Sequence, residues 1–567
     1  MPTLDTKLSR ISRLLGKDIS ISELEELLFI YGMELDTVEK VEDDYNLKIE
    51  ITPDRPDMLS TYGLVRALRR YMGLDKNPSE YIAKKSSFLI QVDSSVSSIR
   101  PYIAAAVFKN LNISEDDLEE LIYAQEKLHA TFCRDRKKAS IGLYPFDKIK
   151  WPLRYYATEP ENIEFVPLEF GYMMNANEIL KVHPTGQKYA YLLEGFKKYP
   201  VFVDASGNVL SFPPIINSED YGKVQPGEKN VMLEVTGTHK PTVELVVNIF
   251  SSILADMGGE MYEVEIRYPN GITEKSPYLK PKEWKIDRSY ISKNLGIILN
   301  DASLKKLLSK MDYKIKSITE KELIVSVQPY RADIMHQIDI VDDIARAYGF
   351  DNFDPELTPI FTIGHELKRT EIIDSIREIL VGAGFNEVFT FALTSMEEQF
   401  DLMLLPTKEV VLIEGAKERK LNMVRYWLIP ELLKTLSYNK DKKYPIRIFE
   451  VSDVVVLDEK VDTRARNETH ISAMIASTET DFTEIRRFLE YLLHALGFRN
   501  IRVERAKHPS FIEGRFGNIL VNEKLVGFLG EIHPQVILNW MMNVPISAFE
   551  VNLDSLFDLE YHEVEIN

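Results

Sequence analysis

The sequence is very poor in cysteine, since Cys133 is the only one in 567 residues. A single thiol excludes an internal disulfide bond and a zinc site built on several cysteines. The ten histidines are scattered along the chain, and none of them stands in an HExxH pattern. Thiol chemistry and zinc chemistry are therefore unattractive hypotheses for this protein.

Long apolar runs are also lacking. No stretch of about 18 uncharged apolar residues, the length that a membrane-spanning helix needs, occurs in the sequence. The first residues, Met1 to Asp5, do not show the basic-then-apolar order of a secretory signal. We therefore expect no membrane association and a cytoplasmic location.

Positive charge is in deficit, because 69 Lys and Arg stand against 88 Asp and Glu and give a formal charge of −19. This balance disfavours non-specific nucleic-acid binding, although a local basic patch can still hold a phosphate backbone. The run from Arg134 to Lys138, at the end of a predicted helix, is one such patch. Its alternative interpretation is a solvated helix end whose cations complement the helix dipole.

Hydrophobic residues at 45% and charged residues at 28% are ordinary globular values. The length predicts roughly three to five domains, and the mixed periodicity predicts an α+β, multidomain protein. Breaks in the pattern predict an N-terminal helical and strand module at 1–80, an α+β domain at 85–268, a small winged-helix-like module at 275–352, and a C-terminal domain with an antiparallel sheet at 358–567.

Apolar positions at spacings of three and four predict two N-terminal helices, Lys7 to Leu15 and Ser22 to Tyr31, and Ser60 or Thr61 can cap a third helix. Glu115 to Phe132 is predicted as one strong helix, and many short strands follow it. Further strands are predicted at Glu322 to Val327 and, near the C-terminus, at 446–451, 471–475, 519–521 and 525–530.

The densest group of acids lies on a predicted helix that follows Tyr330. At 100° per residue the apolar side chains share one face of this helix and most of the acids share the other. The acids are Asp333, at the expected N-cap position, and Asp339, Asp342 and Asp343. Their oxygens suit a hard cation such as Mg²⁺. The alternative is a helix cap and a solvated acidic face, with Arg346 paired to Asp342 or Asp343.

A second polar group surrounds the turn at Pro213-Pro214. Ser211 and Asn217 flank this turn, and the later strand carries Glu234 and Thr236. These side chains suit a pocket with polar groups at its rim. Ser211 has no GxSxG context and no evident histidine partner, which disfavours a serine-hydrolase triad. The alternative is a plain turn between two strands.

Four stretches, in this order along the chain, carry a resemblance to a known family. They are 51–60 (ITPDRPDMLS), Leu210 to Asn217 with the strand to Thr238, Tyr330 to Gly349, and His508 to Pro534. On these residues the chain resembles the β subunits of phenylalanine–tRNA ligase, in their archaeal and eukaryotic form. The resemblance spans nearly the whole sequence.

The resemblance implies a subunit of an aminoacyl-tRNA ligase that works with a separate α subunit in an (αβ)₂ heterotetramer. The pair would attach phenylalanine to tRNA(Phe), with ATP as a substrate at the α subunit and with Mg²⁺ as cofactor. The C-terminal domain would then be similar to a class II synthetase core that is catalytically inactive. The domain at 85–268 would be a tRNA-editing domain that hydrolyses mischarged Tyr-tRNA(Phe).

Residue by residue, the resemblance assigns an editing pocket and a metal set. The pocket consists of Phe202, Ser211, Asn217, Lys223, Glu234 and Thr236, and the Mg²⁺ set of Asp333, Asp339, Asp342 and Asp343. Glu234 is the expected selectivity residue, because a buried acceptor of the tyrosine hydroxyl group would be left unpaired by phenylalanine. The attacking water would be positioned by polar groups rather than deprotonated by a strong base. Phe202 and Lys223 stand where archaeal members usually have Leu and Arg.

Two other functions remain as alternatives. A stand-alone aminoacyl-tRNA deacylase would hydrolyse the ester without a partner, and it would give the C-terminal domain little purpose. A regulatory nucleic-acid-binding protein would use the winged-helix-like module, and the charge of −19 disfavours it.

Overall fold

The computed structural model describes residues 2–357, 360–416, 418 and 420–558. It divides into two compact units, Met1–Leu357 and Thr358–Asn567, each of which mixes helices and sheets. The predicted α+β, multidomain class is confirmed. The predicted first and last domains include positions 1, 358, 359, 417, 419 and 559–567, which lie outside the described residues.

The N-terminal part of the first unit is a three-stranded antiparallel sheet, in the order β1-β3-β2, with three helices. Both predicted N-terminal helices are present, and Ser60, one of the two caps predicted for the third, accepts a hydrogen bond from Gly63 N. The elements are β1 Thr3–Lys7, α1 Leu8–Leu15, α2 Ile21–Ile30, β2 Glu34–Val41, β3 Asp44–Glu50 and α3 Thr61–Tyr71.

The middle of the first unit is built on a ten-stranded sheet. Its elements are β4 Leu89–Val92, β5 Tyr102–Lys109, α4 Glu115–Ala130, β6 Ala139–Pro145, β7 Leu153–Thr158, β8 Glu164–Phe165, β9 Met174–Asn175, α5 Ala176–Val182, α6 Pro184–Tyr189, β10 Tyr199–Val203, β11 Val209–Phe212, β12 Ile216–Asn217, α7 Glu219–Gly222, β13 Val231–Gly237, α8 Lys240–Asp256, β14 Glu260–Arg267 and β15 Thr273–Ser276. The strand order is β12-β11-β10-β7-β4-β14-β5-β13-β6, and β15 pairs with β14. Strands β8 and β9 form a separate pair.

The two ends of this sheet lie close together. Strand β12 is at one end and β6 at the other, yet Asn217 Nδ2 of β12 donates to the Leu143 carbonyl oxygen of β6 at 3.2 Å. The sheet therefore curves until its two edge strands come close to each other.

The helices of this part differ in part from the prediction. Helix α4 begins with the capping box of Ser114 and Asp117 and matches the predicted helix. Helix α8 is a further long helix that the prediction of short strands missed. Eleven of its 17 residues are buried, from Thr242 to Leu254, so its sequence carries little of the polar face by which a surface helix is recognised.

The third part of the first unit has a three-stranded antiparallel sheet in the order β16-β18-β17, with three helices. Its elements are β16 Lys282–Asp287, α9 Arg288–Leu295, α10 Asp301–Lys310, β17 Lys314–Ile318, β18 Glu322–Val327 and α11 Gln337–Tyr348. The sequence predicts only the central strand β18. The two outer strands are largely exposed, so they carry a weak apolar alternation.

The second unit contains a seven-stranded sheet in the order β19-β22-β23-β27-β26-β25-β24. It is antiparallel except for the pairing of β19 with β22. The elements are α12 Lys368–Gly382, β19 Asn386–Glu387, β20 Leu393–Thr394, β21 Met423–Val424, α13 Ile429–Tyr438, β22 Ile446–Leu457, β23 Ala465–Ala476, α14 Phe482–Ala495, β24 Ile501–Arg505, β25 Phe511–Val521, β26 Lys524–Ile532, α15 Pro534–Asn539, β27 Ile546–Asn552 and α16 Leu553–Phe557.

Candidate functional site

A cavity of about 420 Å³ lies where the two ends of the ten-stranded sheet meet. Its walls come from helix α4, from strand β6, and from the turn between β11 and β12. Apolar side chains supply much of the wall, including those of Leu118, Ile122, Ile141, Leu143, Phe212 and Pro213. The polar lining residues include Glu126, Arg136, His183, Ser211, Asn217, Lys223 and Glu234. A mostly apolar cavity with a few polar groups is typical of a ligand-binding site.

Glu234 is a buried acid in the middle of β13, a strand whose residues are all buried. In the strand register it lies opposite Ala105 of β5 and Gly142 of β6. These two small neighbours leave room for the carboxylate beside the sheet. A side-chain carbon at position 142 would stand 2.8 Å from Glu234 Oε2, so β6 has space for the carboxylate only because residue 142 is glycine.

The two oxygens of Glu234 have different environments. Oε2 lies 2.9 Å from the hydroxyl oxygen of Tyr144. Oε1 is buried and has no hydrogen-bond partner within 3.5 Å among the described residues, since the nearby Thr236 hydroxyl group is engaged with Arg100 and Ser140. Burial raises the pKa of Glu234 to about 7, against the lowering effects of the Tyr144 hydroxyl group, the Arg100 charge and the Thr236 hydroxyl group. A buried acceptor with an unused oxygen is unusual in a folded protein and indicates a place for a ligand donor.

Of the six predicted pocket residues, four line the cavity together: Ser211, Asn217, Lys223 and Glu234. Asn217 Nδ2 donates to the carbonyl oxygens of Leu143 and Gly222, both at 3.2 Å. Lys223 Nζ forms an ion pair with Glu219 Oε1 at 2.5 Å.

The other two predicted pocket residues, Phe202 and Thr236, are not among the lining side chains. Phe202 is fully buried and packs edge-on against the ring of Tyr144, with the ring centres 6.0 Å apart. The Thr236 hydroxyl group accepts a hydrogen bond from Arg100 Nε at 3.1 Å. Both residues therefore support the residues that line the cavity.

Tyr144 is a residue of the site that the sequence patterns did not single out, and its hydroxyl group lies 2.8 Å from Ser211 Oγ and 2.9 Å from Glu234 Oε2. A signal was present in the sequence of β6. A glycine inside an apolar strand indicates the close approach of another group, and a buried tyrosine needs a partner for its hydroxyl group. Gly142 and Tyr144 show both signs two residues apart.

Arg136 was also missed as a cavity residue. It belongs to the basic run after α4, for which the sequence left a phosphate grip and a solvated helix end open. Arg136 fits neither interpretation, because it is buried and its guanidinium group is already paired. Nη1 donates to the carbonyl oxygen of Ile215 at 2.8 Å, and Nη2 donates to Glu126 Oε1 at 3.0 Å. Its guanidinium group lies 4.3 Å from the centre of the Tyr189 ring. Arg136 thus fixes the turn that forms one wall of the cavity.

Three consecutive residues, Arg134, Asp135 and Arg136, have positive φ angles of 49°, 49° and 63°. Side chains other than glycine rarely adopt this conformation, and its cost must be offset by surrounding contacts. The hydrogen bonds of Arg136 to the turn and to Glu126 supply such contacts. Arg134 and Asp135 are exposed.

Two histidines lie at or near the cavity, and both nitrogens of each are occupied. His183 Nδ1 accepts from Thr185 N at 3.1 Å, so Nε2 is the atom that donates to the Leu168 carbonyl oxygen at 3.1 Å. His129 Nε2 accepts from Ile141 N at 2.8 Å, so Nδ1 donates to Glu126. Burial lowers the pKa of His129 to about 4. Neither ring is placed to act as a general base.

The acidic helix α11 is present, but its acids do not share one face. Asp339 completes a capping box by accepting from Met335 N at 2.8 Å and His336 N at 2.7 Å. The N-cap is His336 rather than Asp333, so that detail of the prediction is wrong. Asp343 is buried and belongs to the core face of the helix, which also differs from the prediction.

Asp333 and Asp343 both form ion pairs with Arg331. Arg331 donates to Asp333 Oδ1 at 2.7 Å and to Asp343 Oδ2 at 2.7 Å, and the Tyr313 hydroxyl group donates to Asp343 at 2.6 Å. Arg331 also holds the pKa of Asp333 below its usual range, although burial opposes this effect. Asp342 is paired with Arg346 Nε at 2.8 Å, as the alternative interpretation of the sequence states.

These contacts bear on the predicted metal set. Within 2–357, 360–416, 418 and 420–558, no group of three or more His, Cys, Asp or Glu side chains is arranged to hold a metal ion. Asp333, Asp339, Asp342 and Asp343 therefore do not form a chelating set in this chain alone, since each already has a cationic or backbone partner.

In the same described residues, no helix is long and apolar enough to cross a membrane.

Three family models match the chain in sequence order. Residues 1–74 match the model described as "Phe-tRNA synthetase beta subunit B1 domain". Residues 284–350 match "tRNA synthetase B5 domain", and residues 355–553 match "Phenylalanyl tRNA synthetase beta chain CLM domain".

Curated relatives match over nearly the whole length. The chain is 38% identical over 558 residues to "Phenylalanine--tRNA ligase beta subunit" of Pyrococcus horikoshii, covering 98% of this chain and 100% of that protein. It is 36% identical over 554 residues to the protein of the same name from Thermococcus sibiricus, covering 98% of each. A crystal structure of an N-terminal fragment of the phenylalanyl-tRNA synthetase β subunit from Pyrococcus horikoshii aligns with a TM-score of 0.59 and 37% identity, covering 61% of this chain and 99% of the fragment.

Proposed function

The chain belongs to the family of phenylalanine–tRNA ligase β subunits, and from that premise we propose that it works with an α subunit to attach phenylalanine to tRNA(Phe) at the expense of ATP. The relatives of this name are matched over 98% of the chain, which supports the same role for the whole protein. We propose an (αβ)₂ heterotetramer in the cytoplasm, with the synthetic site on the α subunit. The limits 1–80, 85–268, 275–352 and 358–567 remain the proposed domains.

We further propose that the cavity beside Glu234 is the site where water hydrolyses the ester bond of Tyr-tRNA(Phe), which releases tyrosine that has been attached by mistake and leaves free tRNA(Phe). The observation that carries this proposal is the unpartnered oxygen Oε1 of Glu234 in a largely apolar cavity wall. A tyrosine hydroxyl group can donate to this oxygen. A phenylalanine ring would enclose the same oxygen without a donor, and an unpaired buried acceptor costs about 1–3 kcal/mol or more.

The polar groups of the pocket would act by positioning the ester and a water molecule. Ser211 and Asn217 line the cavity and offer a hydroxyl and an amide group that can orient the ester and a water molecule. His183 and His129 have no free nitrogen, so the water is not activated by a histidine base. Phe202 and Thr236 contribute indirectly, through the Tyr144 ring and through Arg100.

The unit Thr358–Asn567 is proposed to be similar to a class II synthetase core that has lost catalysis and packs against the α subunit. Its sheet of long, mostly antiparallel strands supports this assignment. Arg425, a buried cation of this unit, is neutralised by Glu450 at 2.8 Å. Phe389 and Phe391 are 88% and 83% exposed, and exposed aromatic side chains are typical of a surface that binds another protein.

Mg²⁺ is proposed as the cofactor of the complex. Because Asp333 and the three acids of α11 do not form a chelating set by themselves, a metal ion at this helix requires ligands from the α subunit. Asp342 is the most exposed of the four acids, with 48% of its side chain accessible. The metal assignment to Asp333, Asp339, Asp342 and Asp343 remains a proposal for the complex, and no chemical step is derived from it.

The editing proposal is tested by Glu234→Ala in the complex of this chain with its α subunit. The expected result is reduced discrimination against tyrosine, seen as accumulation of Tyr-tRNA(Phe), with nearly unchanged charging by phenylalanine. An α–β complex of the variant that still removes tyrosine as fast as the natural complex would contradict the role of Glu234. Activity of the chain without α would instead favour a stand-alone deacylase.

A further inference from the structure

Three side chains at the cavity wall are connected by hydrogen bonds, and two of them, Ser211 and Glu234, line the cavity. The Tyr144 hydroxyl oxygen lies 2.8 Å from Ser211 Oγ and 2.9 Å from Glu234 Oε2. All three residues are buried. Among the described residues, Glu234 Oε2 has Tyr144 as its hydrogen-bond partner, and Oε1 has none.

The direction of these hydrogen bonds follows from the donor inventory. An ionised carboxylate only accepts, and a tyrosine hydroxyl group has one proton to donate. Tyr144 therefore donates to Glu234 Oε2, and the remaining bond is the one in which Ser211 donates to Tyr144. This arrangement occupies one oxygen of Glu234 and leaves the other available.

The position of the Tyr144 hydroxyl group is restricted on two sides. The ring packs edge-on against Phe202. On the other side, a side-chain carbon at position 142 would stand 2.6 Å from the Tyr144 hydroxyl oxygen and 2.8 Å from Glu234 Oε2. The glycine at 142 is therefore required for the hydrogen bond between the two side chains.

We propose that Tyr144 is a positioning residue for discrimination between tyrosine and phenylalanine: its hydroxyl group holds Oε2 of Glu234 and thereby reserves Oε1 for the hydroxyl group of the substrate. The inference rests on the proposed editing function of the cavity. Tyr144 acts through Glu234, and Ser211, which also lines the cavity, supports Tyr144 by donating a hydrogen bond to it.

Tyr144 also affects the protonation of Glu234. The hydrogen bond from Tyr144 lowers the pKa of Glu234, which burial raises to about 7. Loss of the hydroxyl group should therefore raise that pKa further, so that Glu234 becomes an ionised acceptor only at higher pH. Other titratable or charged groups at the cavity or near Glu234 are Arg100, Glu126, Arg136, Tyr155, Glu169, His183 and Lys223. None of these residues changes in the variant.

The test compares Tyr144→Phe with the natural chain, each in complex with the α subunit. The rates of tyrosine release from Tyr-tRNA(Phe) and of phenylalanine release from Phe-tRNA(Phe) are measured between pH 6 and 9. We expect the pH at which the tyrosine-selective rate is half-maximal to rise by about one unit. At pH values below this midpoint, selectivity for tyrosine should then be about 10-fold lower than in the natural chain.

Tyr155→Phe is the matched control. Tyr155 is a buried tyrosine that contacts Phe202, and its hydroxyl group donates to the Arg100 carbonyl oxygen at 2.9 Å. The control therefore removes one buried hydroxyl group without touching the Glu234 carboxylate. Its pH midpoint should remain that of the natural chain.

Gly142→Ala perturbs the same hydrogen bond without removing a hydroxyl group. We expect the same upward movement of the midpoint, and this variant decides the matter if thermal unfolding shows that Tyr144→Phe does not fold. An unmoved midpoint in a folded Tyr144→Phe or Gly142→Ala variant would overturn the role of Tyr144. Absence of tyrosine-selective release by the natural complex would instead contradict the editing function itself.

Discussion

The carboxylate of Glu234 lies directly across from Gly142 in the register of two neighbouring strands. A single methyl group at position 142 would come within 2.8 Å of Glu234 Oε2. The chain therefore keeps a small residue in a buried strand, where it weakens packing, next to an acid whose burial is costly. Two unfavourable features at one place indicate that function, rather than stability, determines these residues.

Replacement of Glu234 by Gln should change the pH dependence of stability. Because burial raises the pKa of Glu234 from 4.5 to about 7, the folded state binds its proton more tightly than the unfolded state does. The natural chain therefore loses stability as pH rises from about 4 to about 8, by about 3 kcal/mol from this group. Relative to the natural chain, Glu234→Gln should gain that amount over the same interval. The free energy of unfolding in denaturant at pH 4.5 and pH 8 measures it.

A constant difference in the free energy of unfolding at both pH values would contradict this account. It would mean that Glu234 is already ionised at the lower pH and that its surroundings stabilise the charge. The same measurement on Tyr155→Phe provides a reference for the loss of another buried polar group near this site.

Replacement of Arg136 by Lys should damage the cavity wall. Lysine cannot donate simultaneously from a planar group to Ile215 and Glu126, and it stacks less well on the Tyr189 ring. We expect a loss of about 1–3 kcal/mol in stability and a fall of about 10- to 100-fold in tyrosine release. Arg134→Lys is the control, since Arg134 lies in the same left-handed run and is exposed. Equal effects of both substitutions on tyrosine release would show that Arg136 has no special role.

Two acids of helix α11 should respond differently to removal of their charge. Asp343→Asn breaks one of the two buried ion pairs of Arg331 and should cost about 1–3 kcal/mol, because charge-assisted hydrogen bonds are lost while Asp333 still compensates the arginine charge. Asp342→Asn affects an exposed i,i+4 pair with Arg346 and should cost at most about 1 kcal/mol. Denaturant unfolding of the two variants gives both values.

The same Asp342→Asn variant tests the metal proposal when it is purified with the α subunit. If Asp342 is a ligand shared with α, elemental analysis should show less Mg²⁺ in the variant complex than in the natural one. Unchanged Mg²⁺ content would reject Asp342 as a ligand.

The stabilising contribution of His470 should be lost at alkaline pH. It lies 2.8 Å from Glu550 and 3.3 Å from Glu468, and its hydrogen bonds to these two acids raise its pKa to about 9 although burial opposes them. Its contribution is complete below the unfolded pKa of about 6.5 and disappears as pH rises through about 9. His470→Gln should therefore destabilise the chain at pH 6.5 but much less at pH 10, as measured by denaturant unfolding. Equal destabilisation at both pH values would show that the charge of His470 has no part in it.

The sequence predicted well the elements that have a clear period. The two N-terminal helices, the cap at Ser60, helix α4 and the long strands of the second unit all follow from local patterns. Helix α8 was missed because nearly all of its faces are buried, and β16 and β17 because their outer positions are exposed. A periodic pattern of apolar residues arises when an element has one buried face and one exposed face. Elements that are buried on all sides, or exposed on most sides, lack this pattern and are therefore hard to predict from sequence.

At the site, the sequence identified residues but not their partners. Ser211, Asn217, Lys223 and Glu234 line one cavity, although more than 20 residues separate the first from the last. Tyr144 and Arg136 come from strands and loops far away in sequence, and their roles depend on how the ends of the sheet meet. For helix α11, periodicity placed Asp343 with the exposed acids, whereas pairing with Arg331 and Tyr313 allows it to be buried.

The central claim is that the cavity beside Glu234 removes tyrosine from tRNA(Phe). Its most direct test is the release of tyrosine from Tyr-tRNA(Phe), measured beside the release of phenylalanine from Phe-tRNA(Phe), with this chain in complex with its α subunit and again alone. We predict fast release of tyrosine, slow release of phenylalanine, and a requirement for the complex. A complex that charges tRNA(Phe) normally but releases neither amino acid would contradict the claim.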